Sequence, residues 1–283
     1  MTTLFQREKF TGEKYDIILL IGQSNAEGYG IGPVEDEYVP CESIMQFTDS
    51  YPVMYRLNAE GVDELDVPEE TVYRITPMAE NTRKGAGKLG CLAISFAKKY
   101  HEEFVGEGER KTLLVRAAIG GTGFMREQWT PDGVLYKRAL EMTDMALGLN
   151  SENRLVAILW HQGESEAIDG KGRGYDYLYS FYVNSLTRLM TDLEDKYGKV
   201  PFMAGGHCDD WIPRFAEESP AIVNATKAVI EKFDHAGYVA TEGLGSNDRI
   251  VKGKYLDDVH FNRPALYELG ERYFNSFREI DKK

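Results

Sequence analysis

Cysteine is scarce in this chain: the 283 residues hold three, Cys41, Cys91 and Cys208, far apart and with no CxxC pair. That spacing excludes a disulfide framework and a structural zinc site, and isolated thiols fit a reducing, cytoplasmic setting. Positive charge is also short, with 33 Lys and Arg against 46 Asp and Glu and a net charge of −13. A nucleic-acid surface needs clustered cations, so that class of partner is excluded. Long hydrophobic runs are missing as well. Ile17 to Ile21 is unbroken but short, and Glu8, Glu13 and Asp16 precede it. Neither a secretory leader nor a membrane span reads that way. Internal repeats, low-complexity tracts and linkers are absent too, which leaves a single domain over residues 1–283.

The chain does hold enough apolar residues for a core, 42% of the total, and they come in alternating patterns. Short β-branched runs at Ile17–Ile21, Ser43–Phe47, Thr112–Ala118, Leu155–Trp160 and Val200–Ala204 read as strands, with a short edge strand at Tyr238–Thr241. Between them, Leu89, Leu92, Phe96 and Tyr100 recur at helical spacing, as do Leu178, Tyr182, Leu186, Leu189 and Leu193. Val134–Leu149 forms another helix, Ser219-Pro220 reads as a cap with proline at the first helical position, and Leu266 to Phe277 closes the chain. Strands alternating with helices predict an α/β fold with a mostly parallel sheet covered on both faces. Thr48 to Gly87 has no clean period and carries Pro52, Pro68 and Pro77. We expect an irregular insertion at about 48–87, walling one side of a site.

Polar turns follow the buried runs. Gly22-Gln23-Ser24-Asn25 ends the first strand, Gly120-Gly121 follows the third, and His161-Gln162-Gly163-Glu164 follows the fourth. A parallel sheet gathers its strand C-termini at one edge, the edge where such sheets bind ligands. Asp257-Asp258-Val259-His260 precedes the last helix. These groups cover what ester hydrolysis needs: a nucleophile (Ser24), a base (His260), a carboxylate to orient it (Asp257) and oxyanion donors. The donors are the N–H groups of Ser24 and of Gly120 or Gly121, together with the Gln162 side-chain amide. Such chemistry requires no metal or organic cofactor. The plain alternative for Ser24 is a helix cap, and for His260 a cap of the last helix near Asn262 and Pro264. His207 ends the fifth strand at the same edge, and Trp129, Tyr175 and Trp211 offer stacking faces for a sugar ring. Two other classes stay open: a metal hydrolase with His207, Asp209, Asp210, Asp257, Asp258 and His260 as zinc or manganese ligands, and a carbohydrate-binding protein without catalysis.

Taken together, Gly22-Gln23-Ser24-Asn25-Ala26, Gly120-Gly121-Thr122 with Trp129 downstream, His161-Gln162-Gly163-Glu164-Ser165 and Asp257-x-x-His260 resemble the blocks of the SGNH hydrolase superfamily. Within it they are most similar to the sialate O-acetylesterase-like branch, which includes acetylxylan esterases. The resemblance spans residues 22 to 260 and implies a flavodoxin-like three-layer α/β/α fold with a five-stranded parallel sheet. It also implies Ser24 as nucleophile, His260 as base, and an oxyanion hole from Ser24, Gly120 or Gly121, and Gln162 (where most of the superfamily offers asparagine). The acid falls to Asp257, with Asp258 and Glu164 as alternatives. The implied substrate is a small acetylated carbohydrate, and Gln23, Asn25, Trp129 and His207 are candidates to touch it.

Overall fold

A computed structural model describes residues 9–33, 39–49, 55–57, 63–65, 72–79, 89–250 and 257–282. Strand β1 (Lys14–Gly22) is central because it is apolar on both sides. Ile17, Leu19 and Ile21 enter one core and Ile18 and Leu20 the other, all buried. Alternate strand residues leave opposite faces, so a run without polar interruption demands cover above and below.

From β1 the chain makes a single helical turn, α1 (Ser24–Glu27), and then β2 (Ile44–Asp49). Strands β3 (Tyr55–Leu57) and β4 (Asp63–Leu65) form their own two-stranded ladder before β5 (Tyr73–Pro77). Helix α2 (Leu92–Tyr100) continues into a π turn, His101–Val105, and leads to β6 (Arg110–Arg116). Next come α3 (Val134–Leu147), β7 (Arg154–His161), the short α4 (Glu164–Asp169) and the long α5 (Tyr175–Tyr197). Strand β8 (Phe202–Gly205), α6 (Glu218–Ile230), β9 (Ala236–Val239) and α7 (Arg263–Asp281) complete it. Leu135, Leu186 and Ile222 of α3, α5 and α6 cover one face. Phe96, Leu266 and Phe277 of α2 and α7 cover the other. The result is three layers, as expected. Among the described residues no helix is long and apolar enough to cross a membrane.

The sheet has seven strands, ordered β5-β2-β6-β1-β7-β8-β9, and every pair is parallel except β2–β5. Five parallel strands were expected. The stretch β6-β1-β7-β8-β9 supplies them in doubly wound order, and β2 and β5 extend one edge. Part of the extension comes from the segment read as irregular. Tyr73 and Ile75 are buried at alternate positions, and β5 pairs antiparallel with β2 from Asp49↔Tyr73 to Met45↔Pro77. Five residues carry too little alternation to stand out beside Arg74 and Pro77, and a proline at the end of an edge strand breaks no ladder. Within 48–87 the described residues are 48–49, 55–57, 63–65 and 72–79, and the rest of the segment lies outside them. One cap also moves. Helix α6 starts at Glu218, so Ser219 lies inside its first turn and its hydroxyl meets His207 instead.

Doubly wound order reverses at β1, and the crevice where the chain reverses lies between the ends of β1 and β7. Ser24 follows one of those strands and Gln162 the other.

Candidate active site

Gly22 makes the serine turn possible. Its φ is +124°, and a Cβ there would lie 2.2 Å from the His161 carbonyl oxygen. Only glycine allows β1 and β7 to stay that close while the chain turns away. Gln23 then donates its N–H to the same carbonyl at 2.9 Å and occupies the N-cap of α1. Ser24 is the first helical residue, so its N–H is one of those a helix start leaves without an internal acceptor. No side chain caps α1, and the plain reading of Ser24 as a cap is not met.

His260 is reached through the next residue. Asn25, fully buried, donates Nδ2 to the Val259 carbonyl at 3.1 Å and accepts the Phe261 N–H on Oδ1 at 3.1 Å. The residue after the serine thus grips both neighbours of the histidine, although 234 positions separate Asn25 from Val259. The imidazole Nδ1 lies 2.7 Å from Asp257 Oδ1, and Asn247 Nδ2 holds the other carboxylate oxygen at 2.8 Å. Burial acts to raise the Asp257 carboxyl, but the hydrogen bonds from His260 and Asn247 outweigh it and hold the carboxyl below its ordinary value. Tyr29 stacks on the His260 ring with centroids 4.7 Å apart. The cap of α7 belongs to Asn262, whose side chain accepts from Ala265 N at 3.0 Å, which leaves His260 free of that duty.

Among the described residues neither of the other acid candidates bonds the imidazole. Asp258 faces Arg214 at 3.0 Å as an ion pair and makes no hydrogen bond to His260. Glu164 is fully buried, with Oε1 on Asn25 Nδ2 at 2.6 Å and Oε2 without a partner among the described residues. Burial raises its pKa against the pull of Asn25 and of the nearby His260 charge.

Two of the expected donors are engaged by other groups. The Gly120 N–H is already given to Glu27 Oε2 at 2.6 Å, so the amide left on that turn is that of Gly121, whose φ is +70°. Arg126 holds the Gly121 carbonyl at 2.8 Å while pairing with Asp169, which orients the turn. Gln162 is worse placed than expected: its Nε2 is surrounded by Gln23 Oε1 at 3.0 Å, Thr122 O at 3.1 Å and a carboxylate oxygen of Glu166. Two hydrogens facing three protein acceptors leave none for an oxyanion. Glu166 itself is buried, and burial pushes its carboxyl up to about 7.

The sugar-stacking candidates also move. Trp129 is fully buried, edge-on to Trp160, with Nε1 donating to Thr122 Oγ1 at 2.9 Å. Trp211 is buried against His207 and Phe215. His207 sits under Gly163, hydrogen-bonded to Ser219 at 2.7 Å, and burial and the neighbouring His161 lower its pKa to about 3. Both indoles and that imidazole are packed inside the protein. Tyr175 is half-buried on α5, stacked on Tyr179. The metal-ligand set does not assemble either, since Asp209 holds Gly243 N and Asp210 holds Arg249 and Ser246. Among the described residues no three such side chains converge.

Sequence reasoning passed over Tyr29, Glu27, Asn247 and Glu166. The first two lie within five positions of Ser24, but only the fold brings them to His260 and Gly120. Asn247 carries no local signal at all.

A doubly wound sheet with a serine turn at its carboxyl edge, clamped to a carboxylate-bound imidazole, is the architecture of the SGNH-type ester hydrolases. A family model described as carbohydrate esterase, sialic acid-specific acetylesterase, matches residues 14–279. The chain belongs to that family and is a carboxylic ester hydrolase of the carbohydrate acetylesterase kind, as the four sequence blocks implied. Solved structures repeat the fold. One titled NanS superimposes with a TM-score of 0.68 at 19% identity, over 95% of this chain and 98% of that one. A protein from Arabidopsis thaliana gives 0.63 at 19% identity, over 93% of this chain and 98% of the other. No curated protein matches the sequence.

Proposed function

We propose that this protein removes acetyl groups from an O-acetylated sugar by a serine mechanism, with Ser24 as nucleophile, His260 as base and Asp257 as the orienting acid. The observation that carries the reading is the Asn25 clamp, which ties the serine turn to the backbone on both sides of an imidazole already bound to a carboxylate. An ionised Asp257 accepts a hydrogen bond from Nδ1–H and thereby selects the tautomer whose Nε2 can accept a proton.

Ser24 Oγ attacks the acetyl carbonyl carbon while its proton passes to His260 Nε2. The carbonyl oxygen becomes an oxyanion facing the Ser24 and Gly121 N–H groups, where a single donor is worth about 3 kcal/mol of barrier. The intermediate collapses, the sugar hydroxyl leaves with the proton from His260, and acetate remains as an ester on Ser24. Water then gives a proton to His260 and attacks that ester, and as the second intermediate collapses Ser24 Oγ leaves with the proton from His260 and acetate is freed. A carbohydrate substrate agrees with the family. Its description favours an O-acetylated sialic acid over an acetylated xylo-oligosaccharide.

Acetate release from O-acetyl sialic acid, acetylated xylo-oligosaccharides and aryl esters of increasing acyl length tests this, with Ser24→Ala in parallel. Wild type should prefer acetyl and the sialate ester, and Ser24→Ala should lose several orders of magnitude at unchanged melting temperature. Near-normal turnover by that variant removes the serine mechanism.

A further inference from the structure

With Gln162 occupied, the Gln23 side chain is a second amide donor next to the nucleophile in sequence. Gln23 is 3% exposed, and its Oε1 accepts three N–H groups: Gln162 Nε2 at 3.0 Å, Ser165 N at 3.2 Å and Gly163 N, long, at 3.5 Å. Two of those donors are backbone amides at the start of α4, so they fix which end of the carboxamide is oxygen. The NH2 end is therefore directed away from α4. Among the described residues Nε2 has no acceptor, and it is not one of the interior polar atoms sealed from solvent.

The position of this amide follows from its anchors. Gln23 directly precedes Ser24, and the Gln162 nitrogen that holds its oxygen also touches Thr122 O in the glycine turn. The carboxamide therefore stands between the serine turn, the turn that carries Gly121 and the end of β7. An NH2 without a protein acceptor that is open to solvent is available to a ligand atom, and under the serine mechanism the ester carbonyl oxygen is the atom it would meet.

We propose that Gln23 Nε2 is the side-chain oxyanion donor of this enzyme and that Gln162, the residue expected there, is a positioning residue that holds Gln23 in place. The proposal rests on Ser24 being the nucleophile. Gln23 adds a donor to the Ser24 and Gly121 N–H groups, and the anchored oxygen fixes it before substrate arrives, the condition under which such donors lower barriers most.

The test uses Gln23→Glu, which keeps an oxygen toward Gln162, Gly163 and Ser165 and puts a second carboxylate oxygen, unable to donate when ionised, where the NH2 stood. Turnover should fall about 10²–10³-fold with KM within threefold, the size seen when one oxyanion donor is lost. An aryl trifluoromethyl ketone, which Ser24 would convert to a tetrahedral hemiketal oxyanion, should lose affinity by a similar factor. A purely structural role for Gln23 would shift the melting temperature and KM without that parallel. Turnover and ketone affinity within threefold of wild type overturn the proposal. Should the variant not fold, the wild-type ketone adduct decides by crystallography: Gln23 Nε2 within about 3.1 Å of the hemiketal oxygen supports it, and Gln162 Nε2 in that place overturns it. Ser24→Ala in the same series separates the two readings. If it stays active, the serine mechanism has failed. If it is inactive while Gln23→Glu is normal, only the Gln23 assignment has.

Discussion

Replacing Asn25 by alanine removes three hydrogen bonds at once: to Glu164 Oε1 at 2.6 Å, to Val259 O at 3.1 Å and from Phe261 N at 3.1 Å. Glu164 and Phe261 are both fully buried, so water does not replace what they lose. Glu164 Oε2 already lacks a partner, so its carboxyl would be left with none from a side chain. At about 1–3 kcal/mol for each buried group left unpaired, the loss comes to about 2–6 kcal/mol, within the margin of a domain stable by about 5–15 kcal/mol. The variant should therefore fold at low temperature yet unfold at lower urea. His260 lies between the two residues released, and a displacement of about 1 Å costs about 10²-fold in rate. Urea titrations and kcat/KM on a chromogenic acetyl ester should show both losses together. Asn25→Asp sharpens the test, because its Oδ1 still accepts the Phe261 N–H while its second oxygen confronts Glu164. Two carboxyls that close must share a proton, so this variant should lose activity as pH rises and the proton leaves. An Asn25→Ala protein within 1 kcal/mol of wild type and within threefold in kcat would refute the clamp.

Two further outcomes follow from the site. Burial lowers His161 and His207 from 6.5 to about 3, so the folded state binds fewer protons than the unfolded one. Their contribution is complete above pH 6.5 and falls away as pH drops toward 3, by on the order of several kcal/mol. Glu164 and Glu166, raised by burial, act in the opposite sense. Comparison with His207→Asn isolates the rings, and an identical acid slope in that variant would dismiss the effect. Asp257→Asn should lower kcat/KM on the order of 10⁴-fold, as for a triad carboxylate, and Asp258→Asn less than tenfold. Steady-state kinetics giving the reverse order would move the acid to Asp258.

Much of the architecture was legible locally, because each rule involved acts over a few residues. Ile17–Ile21 shows by its unbroken apolar run that it is buried on both faces, and Gly22-Gln23-Ser24 shows where it turns. Parallel topology then places Ser24, Gly120-Gly121 and Gln162 at one edge without further information. Strand β5 escaped because its alternation spans only five residues. Trp129 and Trp211 misled because composition cannot tell an aromatic in the core from one at a rim.

Residue types and their order along the chain therefore determined the layers, the carboxyl edge and the pair of groups, three residues apart, that meet as Asp257 and His260. What only the tertiary structure decided is which polar atoms remain unspent. Gly120 N–H and Gln162 Nε2 are consumed by Glu27 and by Gln23, Thr122 and Glu166, while among the described residues the Gln23 amide nitrogen has no acceptor. A hydrogen bond is shared among whichever groups packing brings within about 3 Å, and that competition has no trace in the sequence of any single turn.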